Sequence, residues 1–269
     1  MPHDPILLAT AIQAVVAAGD LQMARFGGAI EVSKKGRIDL VTEVDLAVER
    51  AFRAMVADRF PDHDVLAEEF GAPSGRVPAR HCWIFDPLDG TTNYAHGLPI
   101  FCSSLGLEID GRLEIGAVYD PWRRELFTAE RGGGAFLNGQ PLRVSQAPTL
   151  VDALLVTGFP YDVHETAAPV VGLFGAFIER AQAVRRLGSA ALDLCYVAAG
   201  RMDGFWEEQL KPWDVAAGAL IVQEAGGRIT AIDGGPFDVR RASLLASNGR
   251  IHAEMLGTVE RFRAGPGAG

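Results

Sequence analysis

Cysteine is scarce in this chain. Cys82, Cys102 and Cys195 are scattered, odd in number and form no CxxC pair. That excludes a disulfide framework and argues against a zinc knuckle. A reducing cytoplasm is the expected compartment. Positive charge is also short: 25 Lys and Arg stand against 34 Asp and Glu, a net charge of −9. A general nucleic-acid binder would carry a basic surface instead. An anionic substrate would need its charge met locally, by a metal ion or a few basic groups. No run is expected to reach the length of a membrane span. Ile6 to Gly19 is apolar but contains Thr10 and Gln13 and follows His3 and Asp4. Without a basic start it reads as an amphipathic helix, not a secretory signal.

Several catalytic signatures are missing too. There is no GxSxG elbow. The six histidines show no HExxH spacing. His96, near the acidic stretch described below, is expected to be structural or part of a pocket wall. Gly132-Gly133-Gly134 lacks the Gly-Lys-Ser/Thr ending of a phosphate loop and predicts a tight bend.

What is present suits a globular protein of one large or two modest domains: 269 residues, 48% apolar and 22% charged. Periodicity predicts helices over 6–26 and 45–60 and short strands over 64–67 and 81–85. Strands dominate 100–144, with hairpin turns at Asp110-Gly111 and Asn138-Gly139. Strands and helices then alternate. Strands are expected over 153–157, 183–187, 202–206, 228–232 and 244–247. Helices are expected over 165–181, 189–199, 213–225 and 251–262, with Ser189 as an N-cap. The change of texture predicts a domain boundary near residue 147, between an N-terminal α+β unit (1–147) and a C-terminal α/β unit (148–269). The tail from Ala264 to Gly269 is expected to fray.

The acids share one habit: they sit where a regular element begins or ends. Asp39 and Asp45 bracket DLVTEVD. Glu68 and Glu69 end the strand DVLA. Asp86 and Asp89 end CWIF, and Asp214 opens WDVAAGALIVQEAGG. Each has a bland explanation. Asp45 and Asp214 suit helix N-termini, Glu68-Glu69 a solvated loop, and DPLDGT a turn before a capped helix. Together they suggest more. Open α/β sheets bind ligands beyond the carboxyl ends of their strands. Mg²⁺ takes oxygen ligands from few protein groups and leaves room for water and phosphate. A turn at Pro87-Leu88 would aim Asp86, Asp89 and the Leu88 carbonyl into one site. Gly90 and Thr91 would then open a helix whose N–H groups favour phosphate.

These segments resemble the inositol monophosphatase family. WIFDPLDGTTNYAHGLP (83–99) looks like its metal-binding signature, and WDVAAGALIVQEAGG (213–227) like its second signature. DLVTEVD (39–45) and AEE (67–69) match further motifs in the same order. GSAALDLCYVAAGRMDGFWE (188–207) is similar to the substrate-side segment of bacterial members. The resemblance implies a layered αβαβα sandwich of the sugar phosphatase type, of mixed α+β and α/β character. It implies Mg²⁺ held by Glu68, Asp86, the Leu88 carbonyl, Asp89 and Asp214. Glu68, Thr91 and Asp45 would serve catalysis, the latter two by orienting and activating the attacking water. Gly90 and Thr91 would meet the phosphate through backbone N–H groups. Gly188, Ser189, Ala190 and Glu207 would line the substrate pocket, with Glu207 accepting from sugar or inositol hydroxyls. Asp39 and Lys34 would support the site, although Lys35 is adjacent.

Ala67 and Ser189 depart from a glycine and a threonine frequent in the family; neither is a lost ligand. Two cations about 3.5–4 Å apart would clamp the attacking and departing oxygens of an in-line displacement. The resemblance further implies lithium inhibition and a homodimer, with Arg185 and Arg186 near its interface. The expected activity is hydrolysis of inositol monophosphate or a similar phosphorylated polyol or sugar. The alternatives are a fructose bisphosphatase, a histidinol phosphatase or a 3′-phosphoadenosine 5′-phosphate phosphatase of the same superfamily. A regulatory interaction protein with residual phosphatase activity is the other, since some bacterial relatives act with the transcription machinery.

Overall fold

The computed structural model describes residues 4–72, 79–241 and 243–265. The tail residues 266–269 lie outside the described residues. The N-terminal helix α1 (Pro5–Arg25) is capped by Asp4, whose side chain accepts from the Ile6 amide at 3.0 Å. A short hairpin follows, β1 (Val32–Lys34) and β2 (Leu40–Thr42), then α2 (Glu43–Arg59). No sequence pattern hinted at that hairpin: its strands have three residues each, too few to show alternation. Thr42 and Asp45 form a reciprocal capping box that starts α2.

A seven-stranded sheet comes next. β3 (Asp64–Ala67) runs parallel to β4 (His81–Asp89). Antiparallel β5 (Cys102–Ile109), β6 (Arg112–Asp120), β7 (Glu125–Glu130), β8 (Gly134–Leu137) and β9 (Gln140–Pro141) follow in chain order. A short helix, α3 (Thr91–Ala95), joins β4 to β5. Both expected hairpin turns are present. Asp110-Gly111 and Asn138-Gly139 have positive φ at both central residues, the geometry that matches strand twist. β4 runs four residues past the expected end at Phe85, and its register against β5 shifts between Asp86 and Asp89. The bulge re-aims these two acids.

The second half builds a mixed five-stranded sheet. In chain order its elements are β10 (Leu154–Thr157), α4 (Ala167–Ile178), β11 (Ala183–Arg185), α5 (Ala190–Ala198), β12 (Gly204–Glu207), α6 (Pro212–Glu224), β13 (Arg228–Ala231), β14 (Leu244–Ser247) and α7 (His252–Ala264). The spatial order of strands is β11-β10-β12-β14-β13.

Five layers result. α1 and α2 cover one face of the larger sheet, where Leu7, Ala11, Val48 and Phe52 meet Trp83, Phe85 and Leu105. α5 and α6 fill the space between the sheets. α4 and α7 cover the far face of the smaller sheet, with Phe177 stacked on Trp206 at 4.0 Å between ring centroids. This is the expected αβαβα sandwich. The strand content changes sheets between residues 141 and 154, but α5 and α6 pack on both, so one core crosses the connection. Close approach demands small residues there. A Cβ on Gly106 or Gly116 would stand 2.8–2.9 Å from α6 atoms.

One sequence expectation needs correction. Pro5–Arg25 is long and apolar enough, by length and composition, to cross a membrane. Its packing marks it as a core helix: Ala11 and Val15 are fully buried on the sheet, and so is Gln22.

Candidate active site

The acids gather where the β4 bulge, the end of β3 and the start of α6 meet. Glu68, Asp86, Asp89 and Asp214 line one cavity of about 240 Å³, together with the Leu88 backbone segment, Thr91 and Asp39. Pro87 and Leu88 are held from behind by α1. Gln22 Nε2 donates to the Pro87 carbonyl at 2.8 Å and to Ser103 Oγ at 2.9 Å. A buried glutamine on an apolar helix face was the available sequence signal for this brace, and it was missed. The Leu88 N–H donates to Asp86 Oδ1 at 2.9 Å, which fixes that carboxylate. Gly90 has φ of 95°, and a Cβ there would meet the Ile100 carbonyl at 2.8 Å. Only glycine suits both constraints.

Each acid is oriented by its own partners. Asp89 Oδ2 accepts from Ser189 Oγ at 2.6 Å and from the Ala191 N–H at 2.7 Å. Asp214 Oδ2 accepts from the Lys211 N–H at 2.6 Å. Asp45 Oδ2 is occupied by the Thr42 N–H at 2.8 Å and the Thr42 hydroxyl. That leaves Oδ1 for Thr91, whose hydroxyl lies 3.2 Å from it and 2.9 Å from the Leu88 carbonyl. Glu49 of α2 pins the loop after β3: its carboxylate accepts from the Glu69 and Phe70 amides at 2.7 and 3.1 Å and from Arg53 Nε at 2.8 Å.

The lysine assignment is corrected. Lys34 lies in β1 and is exposed. Lys35 reaches the site, its Nζ 2.7 Å from Glu68 Oε1 and 2.6 Å from Glu69 Oε1. Lys35 follows β1 in the bend between the two strands, where its N–H donates to the Asp39 carbonyl at 3.0 Å.

The crowding of like charge appears in the titration. Burial, then the charges of Glu68, Asp89 and Asp214, pushes the Asp86 carboxyl well above its ordinary value. Burial takes Glu68 up to about 7, against the opposing pull of Lys35. Asp89 is raised by burial and restrained by Ser189 and the α5 amides. Asp214 is raised by burial and by Asp89. Such a cluster is a site for cations. The donors are all oxygen, which suits a hard ion such as Mg²⁺. Among the described residues no three such side chains are closed into a finished cage. Mg²⁺ does not ask for one, because it keeps several waters and uses one or two carboxylates with substrate phosphate. The residues therefore fit.

A second cavity, of about 620 Å³, adjoins the first and shares Asp89, Gly90, Thr91 and Asp214 with it. Gly188, Ser189, Ala190 and Glu207 line it, together with Arg186, Asp193 and Tyr161. Burial lifts the Glu207 carboxyl to about 8, opposed by Arg186. Tyr161 lines both cavities, and its phenol is raised by burial and then by Glu68. Asp39 also lines both; its Oδ1 is buried without a hydrogen-bond partner among the described residues. His96 is exposed and lines neither cavity. The triple glycine makes a bend between β7 and β8. There the Gly132 and Gly134 amides donate to Glu224 at 2.9 and 3.0 Å, tying the bend to the end of α6.

Sequence and structure comparisons agree with this geometry. The family model described as the inositol monophosphatase family matches residues 6–263. An inositol-1-monophosphatase of Synechocystis is 46% identical over 249 residues, covering 92% of this chain and 86% of its own. The Nus factor SuhB of Escherichia coli is 43% identical over 252 residues, covering 93% and 94%. The solved inositol monophosphatase of Anabaena (Nostoc) superposes with a TM-score of 0.86 at 41% identity, covering 95% of each chain. The acids at the strand ends, the two joined cavities and the five-layer sandwich thus have one source: the chain belongs to the inositol monophosphatase family of phosphatases.

Proposed function

We propose that this chain is a Mg²⁺-dependent phosphomonoesterase that hydrolyses inositol monophosphate. The observation that carries this reading is the junction of an acid-rich cavity with a larger one lined by Glu207. Glu68, Asp86, the Leu88 carbonyl, Asp89 and Asp214 would hold the cations. When bound, the cations supply Lewis acidity that acidifies water and neutralises charge on phosphate oxygens. The chain's own residues do the rest. Thr91 Oγ1 stands beside Asp45 Oδ1, so a proton taken by the hydroxyl has an acceptor behind it. Burial makes Asp45 more basic than an ordinary aspartate, with Thr42 opposing, and this favours that role. The first turn of α3 leaves N–H groups of Gly90 and Thr91 without intrahelical partners, and these meet the phosphate. Glu207 accepts from ring hydroxyls and orients the leaving alcohol. All three cysteines are free thiols, in keeping with a cytoplasmic enzyme. A homodimer is part of the same reading.

A substrate panel with and without Mg²⁺ tests this. Inositol 1-phosphate should be hydrolysed only with the metal, ahead of fructose 1,6-bisphosphate and histidinol phosphate. Hydrolysis of 3′-phosphoadenosine 5′-phosphate without inositol 1-phosphate would overturn the substrate. The similarity to a Nus factor favours a second, regulatory role. Asp89→Asn separates the two: hydrolysis should be lost, and a cellular phenotype that survives the loss belongs to the regulatory role.

A further inference from the structure

Helix α5 is apolar along its length except for Asp193. Ala191, Leu192, Leu194 and Cys195 around it are fully buried, and Asp193 itself is 1% exposed. Neither of its carboxyl oxygens has a hydrogen-bond partner among the described residues. A carboxyl in that position costs stability unless a donor reaches it, and a leucine would have filled the same space at no such cost. The side chain lines the larger cavity beside Glu207 and Arg186. Arg186 lies with its guanidinium carbon 5.7 Å from the Phe159 ring centroid and forms no ion pair among the described residues. The cavity wall therefore includes two carboxyl side chains, Asp193 on α5 and Glu207 on β12, separated in the chain. A phosphate ester bound at Gly90 and Thr91 would bring its alcohol there.

We propose that Asp193 is a specificity-determining residue that binds a substrate hydroxyl different from the one held by Glu207, so that the cavity selects ring polyols with hydroxyls on more than one side. This rests on the polyol phosphatase reading above. Burial, then the Glu207 and Asp89 charges, holds the Asp193 carboxyl well above its ordinary value, with Arg186 opposing.

The test compares kcat/KM for inositol 1-phosphate with that for p-nitrophenyl phosphate, which has no hydroxyl, in the parent, Asp193→Ala and Asp193→Asn. The preference for inositol 1-phosphate should fall about tenfold to hundredfold in Asp193→Ala, the range of a hydrogen bond to an ionisable group. It should fall less in Asp193→Asn, which keeps an acceptor. Equal losses on both substrates would mean a structural prop and would overturn the proposal, as would no loss at all. Melting of the substrate-free protein is a second readout: Asp193→Asn should melt no lower than the parent, because the carboxyl it replaces has no hydrogen-bond partner among the described residues. A lower melting temperature overturns the proposal. If the alanine variant does not fold, monodeoxy inositol phosphates on the parent decide: two different deletions must each reduce kcat/KM, and a single sensitive position refutes a second hydroxyl contact. Failure of the parent on inositol 1-phosphate would instead sink the underlying function, so the two failures are distinguishable.

Discussion

Ser189→Ala removes one hydroxyl with two duties. Oγ donates to Asp89 Oδ2 at 2.6 Å and accepts from the Leu192 N–H at 3.4 Å as the N-cap of α5. Losing an N-cap costs about 1 kcal/mol. Losing a hydrogen bond to a carboxylate costs roughly 1.5–3 kcal/mol. The Ala191 N–H stays on the same oxygen at 2.7 Å, so the loss should lie near the lower end of the sum, about 2–3 kcal/mol. For a chain of this size each kcal/mol is about 2–4 °C, so the melting temperature should drop by about 4–12 °C. Asp89 would also lose the group that orients it. The Mg²⁺ concentration for half-maximal activity should rise about tenfold to hundredfold, as for other partners of metal ligands. Ser189→Thr keeps the hydroxyl and should restore both quantities. Thermal melts and Mg²⁺ titrations of the three proteins are the assay. An alanine variant with unchanged melting temperature and unchanged metal requirement would refute the reasoning. So would a threonine variant no better than alanine.

Gly158→Ala should damage substrate binding more than folding. The added Cβ would stand 2.0 Å from Glu207 Oε2, and the end of that side chain can swing away. A rise in KM for inositol 1-phosphate of about tenfold or more, with little change in melting temperature, is expected for a displaced hydrogen bond. Acid stability should depend on His252, which is buried between Ser247 Oγ at 2.9 Å and Thr230 Oγ1 at 3.1 Å. Burial, with Arg228 nearby, lowers its pKa to about 4. The unfolded chain then takes the proton first, so stability falls as pH drops from 6.5 towards 4. The shift sets an upper bound of about 3 kcal/mol on this loss. Urea melts at pH 6.5 and 4.5 should show the slope, and His252→Asn should flatten it; an unchanged slope removes His252 as the cause.

Much of the acidic half of the site was legible because its residues announce themselves. Asp86, Asp89 and Asp214 stand at element ends, next to prolines, glycines and apolar runs that fix where those ends fall. The α5 cap was legible for the same reason, with Ser189 preceding an apolar helix. The support behind the site was not. Gln22, Glu49 and Lys35 act across 65, 20 and 33 residues of sequence respectively, and a local pattern, even the lone glutamine on an apolar helix face, does not name the partner. The choice between Lys34 and Lys35 depends on where a three-residue strand gives way to a bend, which no alternation in the sequence marks. Asp193 reads as an ordinary helix charge until the helix is seen between two sheets. That same placement lets one core run past the change of texture near residue 147.

The bond from Ser189 to Asp89 joins residues 100 positions apart. It follows that the acidic pocket is a late product of synthesis. A nascent chain that ends before α5 lacks both Ser189 and the Ala191 N–H that hold Asp89. Without α6 it also lacks Asp214. The mutual repulsion that makes the cluster avid for cations is therefore postponed until both sheets have closed on their shared helices. Metal uptake becomes a report that the whole chain has been made and docked. A truncated or half-folded copy would be a poor competitor for cations.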